Sequence, residues 1–228
     1  MSARLPQGAD KRRAVRGLFD TISPRYDLVN RLMTFGMDVG WRRRAVASLR
    51  LPGRSLVADL ACGTGDFCRE LERRGYRAVG FDFSHGMLMQ ARTDAALVEA
   101  DILQLPLVDA GVDGVTCGFA LRNVVSLGGF FRELGRVVRP GGRIALLDAS
   151  EPDNRLVRAG HGVYFRHVVP LIGGALSDKD SYAYLPKSMA YLPTPGEMLS
   201  MLHDEGFPDA ERRQLSGGLT QLLMGTHS

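Results

Sequence analysis

Short apolar runs alternate with amphipathic stretches along most of the chain after residue 54. The apolar runs have the length of strands and predict β-strands at about residues 55–62, 78–83, 97–101, 113–119 and 143–149. The amphipathic stretches have helical spacing and predict helices at about residues 66–74, 85–92, 127–138 and 195–205. Strands that alternate with helices in this way form parallel sheets with helices on both faces.

The last part of the chain departs from this alternation. Two strand-like runs, 211–215 and 220–226, flank Ser216-Gly217-Gly218, a sequence typical of a tight turn. They predict a hairpin, which places an antiparallel strand at one edge of the sheet. The predicted fold is therefore α/β: a Rossmann-like, doubly wound, mostly parallel seven-stranded sheet with an antiparallel edge strand.

Helical patterns also precede the first predicted strand. They cover about residues 11–22, 26–33 and 38–50. The pattern breaks at Ser23-Pro24, and Asp38 is the expected N-cap of the third helix. The predicted fold thus includes N-terminal helices outside the alternating part.

Positive charge is concentrated near the amino terminus. The formal net charge is +4, but residues 1–54 hold 12 Lys/Arg against 4 Asp/Glu. Within them Arg42, Arg43 and Arg44 form a basic band beside Trp41. This band is either a solvated helix face or a contact with anionic headgroups or another negatively charged partner. Composition leaves nucleic acid, an anionic lipid surface and solvent open for the segment.

The sequence contains no pattern typical of a targeting or membrane segment. Residues 1–19 are mostly polar and basic, and the longest apolar stretch without a charge, 168–177, is far shorter than a membrane span. We expect a soluble, cytoplasmic protein. Cys62, Cys68 and Cys117 are odd in number and lack metal-type spacing, so we predict free thiols and no metal.

A glycine-rich turn follows the first predicted strand. Asp59 closes the strand, and a turn with Gly63 and Gly65 leads to Asp66 at the start of a helix. Glycines let a ligand approach the backbone, and the free N–H groups of the helix attract negative charge. A dinucleotide fingerprint would need a third glycine where Cys68 stands. The stretch instead resembles the first motif of class I S-adenosylmethionine-dependent methyltransferases, whose cofactor carries an ammonium and a sulfonium.

Two more acids end predicted strands. Asp82, 17 residues after Gly65, stands where an acid that binds ribose hydroxyls belongs. Asp101 is placed to accept a hydrogen bond from the adenine amine while Ile102 packs on the ring. The competing interpretation is a βα turn without a ligand, which does not account for acids at three strand ends.

A long segment, residues 151–193, separates the fifth predicted strand from the last predicted helix. We expect it to fold as a helical lid over the carboxyl ends of the strands, where open α/β sheets bind ligands. The alternative is a dimer contact. The chain is then a single domain, residues 1–228, with an N-terminal helical extension (1–54), a cofactor-binding core (55–150), the lid (151–193), and a final helix with the C-terminal hairpin (194–228).

The fourth predicted strand leads into a second candidate site. Gly118 permits close approach of the cofactor, and Phe119 can line an apolar pocket. Arg122 and Asn123 supply a cation and an amide at the mouth of that pocket, unless they are a structural pair bonded to backbone carbonyls. The Pro-Pro-aromatic signature that DNA and protein amino-methyltransferases tend to have here is absent.

Four motifs, taken together, resemble the ubiquinone/menaquinone-biosynthesis C-methyltransferase family. They occupy residues 19–30, 60–66, 118–124 and 180–188. Arg25-Tyr26-Asp27 and Leu121-Arg122-Asn123 are their most specific parts. The resemblance implies methylation of a ring carbon of a polyprenylated quinol, typically demethylmenaquinol to menaquinol, with S-adenosylmethionine as donor; ubiquinol remains an alternative.

The resemblance also assigns residues to the cofactor. By position, the family's contacts fall on Thr64, Asp82, Asp101, Ile102 and Gly118. They join Asp59, Gly63 and Gly65 from the first turn. Two departures stand out: Gly118 replaces the serine of many members, and Asp148 replaces a glutamate common after the fifth strand.

The implied chemistry requires a nucleophilic ring carbon, which a quinol gains as its hydroxyl loses a proton. Arg122 is the candidate for stabilising the resulting phenolate, with Asn123 orienting the ring. The base is open among Tyr26, Tyr182, Tyr184 and Asp148. The catalytic set is therefore Arg122, Asn123 and Tyr26, and the substrate contacts are Phe119, Tyr182 and Tyr184.

Three other functions compete with this one. A methyltransferase of the same fold could act on a soluble phenolic or secondary metabolite, and a non-catalytic subunit of a biosynthetic complex would bind the donor without transferring a methyl. A nucleic-acid enzyme is favoured only by the basic amino terminus, so no nucleic-acid partner is expected. The expected partners are a prenylated quinol or another phenol, a membrane surface met peripherally by the basic N-terminal segment, and a second copy in a homodimer.

Overall fold

One seven-stranded sheet organises the fold in a computed structural model that describes residues 8–152, 188 and 191–228. The strands are β1 (Leu56–Leu60), β2 (Arg77–Asp82), β3 (Ala96–Glu99), β4 (Val112–Gly118), β5 (Val138–Ala149), β6 (Glu211–Leu215) and β7 (Thr220–Thr226). Their order is β3-β2-β1-β4-β5-β7-β6, and β7 runs antiparallel to both of its neighbours. The predicted doubly wound sheet and its antiparallel edge are confirmed.

The helices lie where the hydrophobic pattern predicts them. They are α1 (Gly8–Ile22), α2 (Tyr26–Met33), α3 (Met37–Leu49), α4 (Asp66–Arg73), α5 (His85–Met89), α6 (Leu127–Val137) and α7 (Pro195–Asp204). Helix α5 ends three residues before its predicted end. There the backbone N–H of Arg92 donates to the carbonyl of Thr64 at 3.1 Å, which directs the chain toward the turn after β1.

Two expectations about α3 are wrong. Asp38 is not the N-cap, because Gly36, with φ of +74°, precedes the helix and Asp38 lies inside its first turn. The Asp38 carboxylate is buried, where it accepts from the Thr34 hydroxyl at 2.9 Å and pairs with Arg42 at 2.5 Å. Arg42 is itself buried, so it does not belong to an exposed basic band with Arg43 and Arg44.

Apolar side chains cover both faces of the sheet. On β5, Ile144 and Leu146 pack in a cluster with residues of α6 and α7, whereas Ala145 and Leu147 pack in a second cluster with residues of α3 and α4. This alternation follows from the two-residue period of a strand. A sheet buried on both faces leaves its strand ends as the place for polar chemistry.

The order of strand connections reverses between β1 and β4, which are neighbours in the sheet. Ligands of open α/β sheets bind beyond the carboxyl ends of the strands at such a point. The segments that follow β1 and β4 carry the two candidate motifs. The predicted lid, with Tyr182 and Tyr184, lies largely outside the described residues. No helix in the described part is both long and apolar enough to cross a bilayer.

Candidate active site

The turn after β1 has three residues in the left-handed region. Gly63 and Gly65 have φ of +55° and +82°, and Ala61 has φ of +53°. The Gly63 N–H donates to Oδ2 of Asp82 at 2.8 Å, so the turn is fixed to the end of β2. A Cβ on Gly65 would lie 2.8 Å from Cγ2 of Thr93. Gly65 therefore keeps the turn closely packed, while Gly63 faces the cleft.

Asp82 has the geometry of a ribose acceptor. The side chain is buried, and its two oxygens accept from the backbone N–H groups of Gly63 and, at 2.9 Å, of Ser84. Each oxygen retains a lone pair that can accept from a ligand hydroxyl. Burial raises the pKa of Asp82 to about 6, so the carboxylate is mostly charged at neutral pH.

Asp59 has a different setting from the one expected for a cofactor contact. Its carboxylate is 1 % exposed, accepts from the Thr116 hydroxyl at 2.9 Å and contacts Sγ of Cys68 at 3.6 Å. Burial raises the pKa of Asp59 to about 7. Asp59 does not line the cleft, so the geometry gives it a supporting place beneath the turn.

The acid that starts α4 is neutralised by arginines. Asp66 forms ion pairs with Arg42, at 3.0 Å, and with Arg69. The neighbouring Thr64 is also engaged, because its hydroxyl donates to Asp27 at 2.5 Å. Neither Thr64 nor Asp66 lines the cleft. Both instead attach the turn to the N-terminal helices.

An apolar cleft of about 740 Å³, including its open mouth, lies at the carboxyl ends of β1, β2, β3 and β4. Eight of the residues predicted from sequence line it: Tyr26, Gly63, Asp82, Asp101, Ile102, Gly118, Phe119 and Asn123. Arg12, Val15 and Phe19 of α1 form part of its wall. The two candidate motifs and the N-terminal helices therefore share one cleft.

Arg122 lies behind the wall of the cleft rather than at its mouth, which corrects the position expected from sequence. It is 8 % exposed, does not line the cleft, and its guanidinium is paired with Asp148. Oδ2 of Asp148 also accepts from the Arg122 backbone N–H at 3.2 Å. Asp148 is fully buried in this pair, so it is poorly placed to act as the base.

Asn123 presents an unsatisfied acceptor. Its Oδ1 atom is buried and has no hydrogen-bond partner, although the side chain lines the cleft. A buried polar atom without a partner costs free energy, so Oδ1 lacks a donor that the described residues do not supply. An ammonium or a hydroxyl group of a ligand would supply one.

Gly118, which stands where many family members have serine, is explained by its contact with Phe67. A Cβ on Gly118 would lie 2.6 Å from Cε2 of Phe67, a buried residue of α4. A serine at this position therefore requires that the phenyl ring move. Phe67 is a residue that sequence reasoning missed, since nothing in the spacing links it to position 118.

Tyr26 lines the cleft and packs edge-on against Phe19, with ring centroids 6.0 Å apart. Burial raises the pKa of the Tyr26 phenol, although the positive charges of Arg42 and Arg122 oppose the shift. The phenol therefore stays protonated at neutral pH. It is better suited to donate a hydrogen bond than to act as a base.

Polar contacts of the N-terminal helices were also missed. Arg12 pairs with Asp101 at 2.7 Å, Asp20 accepts from the Ser84 hydroxyl at 2.5 Å, and the ammonium of Lys11 reaches two backbone carbonyls after β4. Asp20 and Asp27 lie inside the first family motif, so that motif could have indicated them. Lys11 and Arg12 lie outside the four motifs, so no sequence signal distinguishes them from other cations of a basic helix.

The described residues fit S-adenosylmethionine. The cleft contains a glycine turn whose backbone a ligand can approach and the carboxylate of Asp82, which has spare lone pairs. It also has apolar walls and is lined by Asn123, whose Oδ1 atom lacks a partner. Within residues 8–152, 188 and 191–228 no three His, Cys, Asp or Glu side chains are grouped to hold a metal ion.

An acid-lined cleft at the switch point of a doubly wound sheet is the architecture of S-adenosylmethionine-dependent methyltransferases, and this chain is one. The fold matches a methyltransferase solved in complex with the Haloferax volcanii Trm112 methyltransferase activator, with a TM-score of 0.67 and 18% identity over 92% of this chain and 97% of that one.

The chain belongs to the ubiE/COQ5 methyltransferase family, whose sequence profile matches residues 7–227. It is 40% identical to the ubiquinone/menaquinone biosynthesis C-methyltransferase UbiE of Syntrophotalea carbinolica, over 93% of this chain and 94% of that protein. It is 38% identical to the demethylmenaquinone methyltransferase of Roseiflexus castenholzii, over 97% and 96% of the two chains. The resemblance inferred from the four motifs is confirmed.

Proposed function

We propose that the protein methylates a ring carbon of a prenylated quinol, most specifically demethylmenaquinol, in quinone biosynthesis. The observation that carries the proposal is a cleft that joins the cofactor turn to the aromatic side chains of Tyr26 and Phe119 and to the unpartnered oxygen of Asn123. A planar phenolic ring suits such walls. The names of the relatives, UbiE and demethylmenaquinone methyltransferase, support the same acceptor.

S-adenosylmethionine supplies an electrophilic methyl group on a sulfonium. Asp82 would bind the ribose hydroxyls, Gly63 would let the donor approach the backbone, and Asp101 with Ile102 would hold the adenine, since all four residues line the cleft. Asp101 already accepts from Arg12, whose side chain is 60% exposed, so Arg12 turns outward or shares the carboxylate when adenine binds. The apolar walls of the cleft exclude water from the reacting atoms.

Tyr26 and Asn123 act on the acceptor. The protonated phenol of Tyr26 donates a hydrogen bond to the quinol oxygen whose proton passes to solvent at the open mouth of the cleft, and this hydrogen bond strengthens as negative charge develops on that oxygen. Oδ1 of Asn123 accepts from the second hydroxyl and orients the ring. Arg122, paired with Asp148, holds the turn from behind the wall and so positions Asn123, the next residue in the chain.

Quinone profiling by mass spectrometry in cells that lack the chain tests the acceptor. We expect accumulation of a quinone lighter by one methylene, together with loss of labelled methyl transfer to demethylmenaquinol by the purified protein. Methylation of a soluble phenol with no change in the quinones would contradict the proposal. A chain that binds the donor and methylates neither type of acceptor would be a non-catalytic subunit.

A peripheral membrane contact is the second part of the proposal. Leu28, Leu32 and Phe35 are 55%, 44% and 73% exposed and are spaced at four and three residues, which places them on one side of α2 and its following turn. We call this set the α2 apolar face. The α2 apolar face lies within the basic segment 1–54. Exposed apolar side chains that are surrounded by cations suit an anionic lipid surface. A prenylated acceptor resides in such a membrane.

Sedimentation with vesicles tests this contact. The triple variant Leu28→Ser, Leu32→Ser, Phe35→Ser should lose binding to phosphatidylglycerol vesicles, whereas Val108→Ser, at an apolar position 76% exposed elsewhere, should keep it. Equal vesicle binding by the triple variant and by Val108→Ser would contradict the proposed membrane contact of the α2 apolar face. A change from dimer to monomer without a change in vesicle binding would make the α2 apolar face a homodimer contact instead.

A further inference from the structure

A buried lysine outside the expected site holds the loop that carries Asn123. Lys11 lies on α1 and is 4 % exposed, and its ammonium donates to the carbonyl of Arg122 at 3.1 Å and to that of Val124 at 2.8 Å. The ammonium also lies 3.8 Å from the ring centroid of Tyr191. A buried cation is retained only where such partners replace its hydration.

The two carbonyls are those on either side of Asn123. A backbone anchored at both of these peptide groups has little freedom to turn the Asn123 side chain away from the cleft. The opposite side of the same turn is held by Asp148, which accepts from the backbone N–H of Arg122 and pairs with its guanidinium. The turn is therefore fixed between a buried ammonium and a buried carboxylate.

From this geometry we infer that Lys11 is a positioning residue for methyl transfer: it fixes the Arg122–Val124 backbone so that the amide of Asn123 faces the acceptor. The inference rests on the proposed function, because Asn123 is the group through which Lys11 acts. Burial lowers the pKa of Lys11 to about 8, so the ammonium is largely retained at neutral pH. Lys11 itself does not line the cleft, so it can act on the acceptor only through the residues that it holds.

Kinetics on detergent-solubilised acceptor give the first test. Lys11→Met should lower turnover roughly tenfold at saturating donor and acceptor, because two charge-assisted hydrogen bonds are lost, while donor affinity in calorimetry changes by less than about twofold. Lys11→Arg, which retains a cation and donors, should recover part of the loss. The control is Arg132→Met, which removes a 76% exposed cation of α6. Unchanged turnover in Lys11→Met, or a loss confined to donor affinity, would overturn the inference.

A double-mutant cycle separates positioning from general destabilisation. In an Asn123→Ala background, Lys11→Met should cost less than about twofold, since the group that it positions is gone. Multiplicative losses from the two substitutions would show that Lys11 does not act through Asn123. Circular dichroism checks the fold, and Lys11→Gln, which keeps a neutral donor, replaces Lys11→Met in the cycle if the latter does not fold.

Hydrogen exchange provides a readout that is independent of any acceptor. Backbone amides of residues 121–125 should exchange at least about tenfold faster in Lys11→Met than in wild type or Arg132→Met, since loss of the anchor increases local opening. Unchanged exchange would overturn the inference even if activity falls. If wild type methylates no quinol, the proposed function fails, and with it a role of Lys11 in quinol methylation; the exchange measurement then decides only whether Lys11 fixes the backbone of residues 121–125.

Discussion

Two residues that line the cleft, Ala61 and Phe119, have positive φ values of +53° and +59°. For a residue with a Cβ, the left-handed region costs roughly 1–2 kcal/mol relative to the right-handed helix. Such strain is retained at ligand sites when the surrounding contacts determine the loop. Here the hydrogen bond from Gly63 to Asp82 fixes the turn that contains Ala61.

Ala61→Gly should raise the free energy of unfolding by about 0.5–1 kcal/mol, because glycine adopts the left-handed conformation without steric cost. Urea denaturation measures the change. Ala47→Gly, in the last turn of α3, is the control and should lower stability by about 0.5–1 kcal/mol, because glycine is a poorer helix former than alanine. Lower stability in both variants would contradict the strain at Ala61.

Asp59 should make stability depend on pH. Its pKa is raised by burial to about 7, so the native state binds more protons than the unfolded chain from about pH 4 to pH 7. The stability that protonated Asp59 contributes is therefore present at low pH and is lost as pH rises through about 7. Wild type should lose up to about 1.4 kcal/mol per pH unit relative to Asp59→Asn in this range, measured by denaturation. If the free energy of unfolding depended on pH in the same way in both proteins, the raised pKa of Asp59 would be contradicted.

At the scale of elements, charged side chains connect α3 to α4. Arg42 of α3 contacts Asp38 at 2.5 Å and Asp66 of α4 at 3.0 Å, with its side chain only 9% exposed. These pairs fix the start of α4, which directly follows the cofactor turn. The N-terminal helices therefore pack against the turn after β1 and line the same cleft.

Arg42→Met should destabilise the fold by about 2–3 kcal/mol, because removing one member of a buried pair leaves Asp38 poorly compensated. Arg31, at 3.3 Å from Asp38, limits the loss. Arg44→Met removes an exposed arginine of the same helix and should change stability by less than about 0.5 kcal/mol. Thermal denaturation measures the stability of both variants. An equal loss in Arg42→Met and Arg44→Met would show that burial of the Arg42–Asp38 ion pair does not contribute to stability.

The packing of β4 on α4 explains one departure from the family. Gly118→Ser places a side chain against Phe67 and should cost about 1–3 kcal/mol through overpacking. Adding Phe67→Leu should relieve part of this cost, so the double variant loses less stability than the sum of the two single variants. Additive losses in denaturation experiments would mean that the ring and the new side chain do not meet.

At the scale of the whole molecule, donor binding connects distant parts of the chain. The cleft is lined by α1 and by the segments that follow β1, β2, β3 and β4, so a ligand that fills it would contact all of them. Ligands that bind only the native state stabilise it by mass action. The N-terminal helices should therefore be stabilised together with the sheet.

S-adenosylmethionine at about one hundred times its dissociation constant should raise the free energy of unfolding by about 2.7 kcal/mol. Hydrogen exchange should show added protection in α1 as well as in the turn after β1. Asp82→Asn should reduce both effects at equal donor concentration, because the charge-assisted bonds to ribose are weakened. Protection confined to the turn would indicate that α1 does not help to enclose the donor.

Local pattern was sufficient to predict much of the protein. The period of apolar residues gave the strands and helices, and the glycine turn and three acids gave the class of cofactor. These features are encoded within a few residues of one another, so their physical meaning does not depend on the rest of the chain. Gly63, Asp82 and Asn123, which local pattern predicts as site residues, line one cleft.

Only the tertiary structure decided which polar groups face the cleft and which are neutralised elsewhere. Arg122 is paired with Asp148, and Asp66 is paired with Arg42. The ammonium of Lys11 donates hydrogen bonds to backbone carbonyls that are more than one hundred residues away in sequence. The reason is that the ionic state and direction of a side chain depend on partners brought close by the fold, and sequence spacing carries no record of those distances.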